Sequence, residues 1–355
     1  MIRRRFRLAA LLSAFLVVAI SLGCVAIAGG SRSSAAQTAV RTATSSPAGH
    51  VPAPGSTGPG GASGRPAIPA NGRLYFGVSS SVATLPAFES AAGIERPAIL
   101  GGYIGGTDDV STVLDDVDDL PSTAPMVSWG VDFTGGKVVS GAWDSYLYRQ
   151  ARAVAAFGRP VFLRLDWEMN ATWYGLWGDG YVSPADYVAA WQHVWEVFQD
   201  AGAGNAAFVW SPNTGRFSSL AASAWYPGDR YVDWVGIDTY PSADNEATVL
   251  AGADGLDVLA AFSQQHDKPV MLAEWAPTAP QPDRRGVFDL VFSWADQHPA
   301  TVKALVYFNY PTQGRDHLLV DFPVGASALR SLVKQHGGRL LYTVGAARAA
   351  GGTNG

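Results

Sequence analysis

The chain has 355 residues, 48% of them hydrophobic, enough to build one large domain or two small ones. Its net charge of −5 supplies no basic stripe of the kind nucleic acid requires, so a nucleic-acid partner is excluded. The single cysteine, Cys24, falls in the N-terminal leader and the 6 histidines are scattered, so no disulfide, metal-ligand cluster or cofactor is expected.

The first element is a targeting segment, residues 1–28. Arg3, Arg4, Arg5 and Arg7 precede an uncharged run from Leu8 to Ala28, the pattern of a signal peptide or of an N-terminal membrane anchor. A secreted protein is expected, with membrane attachment through this segment as the alternative. Ala26-Ile27-Ala28 offers a cleavage site, and Ser21-Leu22-Gly23-Cys24 faintly resembles a lipid-attachment box. Residues 29–70 are Ser, Gly, Pro, Thr and Ala with almost no large apolar side chain, and read as a disordered linker.

From Asn71 the texture changes to alternating strand and helix patterns, assigned to one domain over 71–340 with a tail at 341–355. Strands are predicted at 74–78, 98–104, 125–130, 160–167, 206–211, 231–240, 269–275 and 304–309. Helical periodicity occupies 145–158, 185–202, 256–266, 284–298 and 325–338. Several strands are continuous apolar runs, which suits a sheet buried on both faces. Eight such units predict a closed (β/α)₈ barrel, the alternative being a doubly wound open sheet, for which a Gly-rich dinucleotide turn is missing. The acidic run Asp108 to Asp119 lacks calcium-loop spacing and reads as a solvated helix face.

In a barrel the chemistry lies at the C-terminal strand ends. Polar and aromatic residues collect there: Trp129, Arg164, Asp166, Glu168, Trp210, Asn213, Asp238, Tyr240, Glu274, Trp275 and Asn309. Two glutamates stand out. Glu168 ends the fourth strand and leads into Asn170, Trp173, Tyr174 and Trp177; Glu274 ends the seventh and precedes Trp275. Paired carboxyls are what glycosidic-bond cleavage needs, about 5–5.5 Å apart when configuration is retained and wider when it is inverted. Aromatic faces suit the apolar side of a sugar ring. Taken singly, either glutamate could be a structural ion-pair partner, Glu168 with Arg164 for example. Arg164 is expected to hold Glu168 or Tyr240, and Asp166, alternating with Glu168, to face the cleft, cap a backbone or meet solvent.

These residues also resemble a family. Arg164-x-x-x-Glu168-Met169-Asn170, then Trp173-Tyr174 and Trp177, then residues 209–213 (VWSPN), 226–240 (YPGDRYVDWVGIDTY), 268–275 (KPVMLAEW) and 306–309 (VYFN) look like family 26 of the glycoside hydrolases. The resemblance implies a retaining (β/α)₈-barrel enzyme, most often an endo-β-1,4-mannanase, with mixed-linkage β-glucan and β-1,3-xylan as other substrates. Carried over position by position, it implies Glu168 as acid/base, Glu274 as nucleophile and Tyr240 as the tyrosine bonded to the nucleophile. Two positions depart from the mannanase pattern: Trp167 where His is usual, and Ala171 where Gly is usual.

The expectation is therefore a monomeric retaining β-glycanase acting on a polysaccharide, with Trp167, Asn170, Trp173, Tyr174, Trp177, Trp210, Asn213, Tyr240 and Trp275 binding substrate. Arg164 and Asp166 would support the site. A non-catalytic carbohydrate-binding protein is one rival, and a periplasmic or cell-wall assembly factor that trims or organises an exported polysaccharide is the other.

Overall fold

The computed structural model describes residues 64–347, apart from 216, 279–281 and 313–314. The leader and linker residues 1–63 lie outside the described residues, so the expectations placed on them are not addressed by the fold.

Eight parallel strands close into a barrel. They are β1 (Leu74–Ser79), β2 (Ile99–Gly105), β3 (Ala124–Gly130), β4 (Val161–Leu165), β5 (Ala206–Trp210), β6 (Trp234–Thr239), β7 (Val270–Trp275) and β8 (Val302–Phe308), in that order, with β8 returning to β1. A small hairpin follows, β9 (Pro311–Thr312) with β10 (Arg315–Asp316), and β11 (Leu340–Leu341) pairs parallel to β1. The helices are α1 (Leu85–Ala92), α2 (Ser111–Leu114), α3 (Asp144–Phe157), α4 (Pro184–Asp200), α5 (Glu246–Ala251), α6 (Leu256–Gln265), α7 (Gly286–Gln297) and α8 (Pro323–Gln335). All eight predicted strands and all five predicted helices are present, within a few residues at their ends.

Every residue of β3, β4, β6, β7 and β8 is buried, as continuous apolar runs require. Period two sorts the side chains into two cores. In β4, Val161, Leu163 and Leu165 face the helices, while Phe162 joins Tyr75, Ile99, Met126, Val209, Trp234, Met271 and Val306 inside the barrel. Arg164 shares the parity of Phe162, so its guanidinium rises through the barrel axis toward the upper mouth. Above the apolar layer the inward positions are small or polar, Ser79, Gly101, Ser128, Ser211 and Gly236, which leaves room for it.

The lower mouth is closed by residues 64–67 and 344–347. The Ala67 amide donates to the Gly345 carbonyl and the Ala347 amide to the Arg65 carbonyl, both at 2.7 Å, while Arg65 pairs with Asp233 at 3.0 Å. Val344 packs into the interior cluster. Residues 64–70, expected to belong to the linker, and 341–347, expected to be tail, are thus parts of the barrel. Their backbone finds partners under the strand starts even though their composition offers few apolar side chains. The acidic run holds α2 and a 3₁₀ turn at Asp115–Val117 rather than one long helix.

Candidate active site

Two strand ends deliver the glutamates by different means. After Leu165 the chain leaves the sheet, and Asp166 and Glu168 take left-handed backbone angles, φ 38° and 55°. Such angles are costly for residues with a Cβ and persist where surrounding contacts over-determine them. Here the Asp166 amide donates to the Trp129 carbonyl at 3.1 Å and the Glu168 amide to the Ser211 carbonyl at 2.7 Å. At β7 the strand instead bulges: Ile237 pairs with Leu272 but Asp238 pairs with Glu274, so Ala273 is passed over. The extra residue turns both Ala273 and Glu274 inward and returns Trp275 to the helix-facing side.

One carboxylate oxygen each of Glu168, Asp238 and Glu274 lies within 4.8 Å of the other two, and all three side chains are buried. Arg164 stands among them. Its Nη1 donates to Glu274 Oε1 at 2.7 Å and to Ser128 Oγ at 3.0 Å, and its Nη2 pairs with Asp238. Burial opposes the guanidinium charge, but Asp238 and Glu274 outweigh it and Arg164 stays cationic. Glu274 is further held by Tyr103, whose hydroxyl donates to Oε1 at 2.7 Å, and by Tyr240, whose hydroxyl donates to Oε2 at 2.6 Å. Burial pushes the Asp238 carboxyl up against the pull of Arg164, while Ser211 donates to its other oxygen at 3.0 Å.

Among the described residues, no cation is bonded to Glu168. Trp173 Nε1 donates to its Oε2 at 2.7 Å, and Asn213 Nδ2 donates to its Oε1. Burial, reinforced by the Glu274 charge, pushes its carboxyl up to about 7. One glutamate is therefore built to hold a proton near neutrality, and the other sits among three donors, one of them charged.

The predicted site residues divide accordingly. Glu168, Glu274, Asn213, Tyr240, Arg164, Trp167, Trp173 and Tyr174 come together. Trp173 is 43% exposed and packs edge-on against Phe217, itself 46% exposed, with centroids 4.7 Å apart. Trp167 Nε1 donates to Tyr174 Oη at 2.9 Å, so the indole offers the cleft its ring rather than its donor. Arg164 grips Glu274 and Asp238 instead of Glu168.

Four expectations are corrected. Trp210 is fully buried against Tyr226 and Phe262, because period two points it toward the helices. Trp275 packs on Phe288, Phe292 and Tyr307 for the same reason once the bulge is passed. Trp177 lies behind the site, stacked on Tyr174 at 4.6 Å and donating to the Trp167 carbonyl; a Cβ on Gly130 would come within 2.7 Å of its ring. Asn170 is 1% exposed and clamps the Asn213 backbone, accepting from its amide and donating to its carbonyl at 2.9 Å each, so it aims Asn213 at Glu168 without touching the cleft. Of the alternatives open for Asp166, the structure shows the backbone cap: it accepts the Val131 amide at 2.6 Å. Tyr103, Ser128 and Ser211 received no attention in the sequence, and Asp238 was noted only as a strand end. All four occupy inward positions by period two, which is the signal that finds them.

The fold and site define a class, a parallel (β/α)₈ barrel whose upper mouth brings two glutamates in unlike surroundings together. Residues 135–276 match the family described as glycosyl hydrolase family 26, a span that contains both glutamates. Among curated relatives, Endoglucanase H of Acetivibrio thermocellus is 26% identical over 57% of this chain and 23% of its own length. A β-1,3-xylanase of a Vibrio species is 25% identical over 62% of this chain and 47% of its own. The chain thus spans less than half the length of these relatives. Among solved structures, GH26C of a Muricauda species aligns with TM-score 0.60 at 16% identity, covering 77% of this chain and 87% of that one. A β-mannanase of Bacteroides ovatus aligns with TM-score 0.54 at 16% identity over 76% and 90%. At such identities these structures share the fold.

Proposed function

We propose that this protein is a retaining, endo-acting β-glycanase that cleaves β-1,4-mannan or a closely related β-glycan outside the cell. The observation that carries the reading is the pair Glu168 and Glu274, with oxygens within 4.8 Å, one among neutral donors and one beside a guanidinium. Double displacement uses carboxyls about 5–5.5 Å apart, whereas inversion leaves about 6.5–9.5 Å to seat a water. Glu274, paired with Arg164, attacks the anomeric carbon. Glu168 gives its proton to the departing oxygen, and its raised value of about 7 keeps that proton available near neutrality. Water then attacks the same carbon, Glu168 takes the water's proton, and Glu274 leaves. The exposed Trp173 and Phe217 rings beside Glu168 support endo action, since they offer faces beyond the bond being cut. Similarity to mannanase structures supports mannan, and the endoglucanase and xylanase names among the relatives support a neighbouring β-glycan. The basic and apolar N-terminus supports export.

The test is a panel of mannan, glucomannan, mixed-linkage glucan, β-1,3-xylan, β-1,4-xylan and cellulose scored for new reducing ends. Release is expected from at least one, and Glu168→Gln and Glu274→Gln are expected to fold and lose it. Binding without release from any polymer would return the protein to the carbohydrate-binding class.

A further inference from the structure

The three donors on Glu274 are unevenly shared. Oε1 accepts from Arg164 Nη1 and from Tyr103 Oη, each at 2.7 Å, while Oε2 accepts, among the described residues, from Tyr240 Oη at 2.6 Å. A carboxylate oxygen has about two in-plane lone pairs. Both on Oε1 are engaged, and one on Oε2 is open. On the reading that the protein is a retaining hydrolase, we propose that Oε2 is the attacking atom and that Tyr103 is a positioning residue that favours release of the glycosyl-enzyme.

The placement of Tyr103 is built into the barrel. Tyr103, Ser128 and Arg164 stand side by side in β2, β3 and β4, so the phenol and the guanidinium rise together under the same oxygen. Trp167, Phe308 and Tyr310 meet the Tyr103 ring edge-on at 5.4, 5.9 and 5.5 Å and fix its direction. Burial, with the Glu274 charge behind it, holds the phenol well above its ordinary value, so it donates throughout the working range.

The two oxygens then have different duties. In the first step an Oε2 electron pair bonds to the anomeric carbon, the bond to the departing oxygen breaks, and that oxygen takes its pair and the Glu168 proton. Oε1 becomes the carbonyl oxygen of the ester and keeps both donors, whereas Oε2, now esterified, is a poor acceptor for Tyr240. In the second step the water oxygen bonds to the anomeric carbon, its proton passes to Glu168, and the carbon–Oε2 pair returns to the carboxylate. Negative charge reappears partly on Oε1, where Tyr103 and Arg164 wait. Loss of the Tyr103 donor leaves the charge returning to Oε1 with one partner fewer, which spares the attack of Glu274 and hinders its departure.

The experiment compares wild type with Tyr103→Phe on the 2,4-dinitrophenyl β-glycoside of the disaccharide unit of whichever polysaccharide the wild type cleaves. That leaving group needs no proton, so ester breakdown limits turnover. In the variant kcat falls about tenfold, KM falls with it, and kcat/KM stays within about threefold. A burst of dinitrophenolate matches the enzyme concentration, mass spectrometry finds the glycosyl adduct on Glu274, and added azide restores turnover by intercepting it. Equal falls in kcat and kcat/KM without a burst, or no change, would overturn the role of Tyr103 while leaving hydrolysis intact. A wild type that cleaves nothing in the panel would remove the hydrolase reading, and this proposal with it.

Discussion

The ends of β4 and β7 present the same side chain in two unlike settings. Glu168 stands outside the sheet on a left-handed residue and takes one indole and one amide donor; Glu274 stands on a strand bulge and takes a guanidinium and two phenols. Residue type does not decide which carboxyl holds a proton. The neighbours do: burial, with only neutral donors among the described residues, raises Glu168, whereas Glu274 is paired with a fixed cation.

Exchanging the two roles is the strongest way to break that contrast. Glu274→Ala should cost on the order of 10⁵-fold in kcat, since no nucleophile remains, and azide should then yield an inverted α-glycosyl azide. Glu168→Ala should lose about 10²–10⁴-fold on natural substrate but far less on a dinitrophenyl glycoside, with azide giving the β-product. The opposite stereochemistry in either variant would reverse the assignment. Next in size, Arg164→Met strands Asp238 and Glu274 in the interior without a cation and should destabilise the fold by about 3–5 kcal/mol, read as a fall in denaturant midpoint. A near-neutral result would mean that the β7 site does not depend on its counter-charge.

The smallest effect sharpens the contrast through pH. Glu168 is raised to about 7, chiefly by burial and then by Glu274, from a value near 4.3 in an unfolded chain. The folded protein therefore binds this proton more tightly. The stabilisation is complete below about pH 4 and is lost as pH rises through about 7, on the order of 3 kcal/mol in all. Glu168→Gln should accordingly gain Tm relative to wild type between pH 5 and 8. A difference that is flat across that range would mean that the β4 pocket does not hold its proton. In wild type the same titration sets the alkaline limb of kcat/KM near pH 7.

Much of this was legible beforehand. Continuous apolar runs named all eight strands, and a carboxylate followed by aromatics named both glutamates. Strand parity was the unused information. It points Trp210 at the helices and Tyr103, Ser128 and Ser211 into the barrel, and it could have been read from the sequence. Trp275 and Asp166 were harder, because a bulge reverses the facing at β7 and left-handed angles redirect the chain after Leu165, and neither leaves a glycine or proline as a marker. Asn170 looked like a sugar ligand since amides bind hydroxyls. Only its distances to the Asn213 backbone reveal a clamp.

The paired segments beneath the lower mouth carry a practical consequence. Because residues 64–67 and 344–347 meet under the strand starts, both ends of the described chain leave from the pole opposite the glutamates. A carrier protein, a tag or a solid support joined ahead of residue 64 is therefore attached at the rear, and a long polymer can approach the front unobstructed.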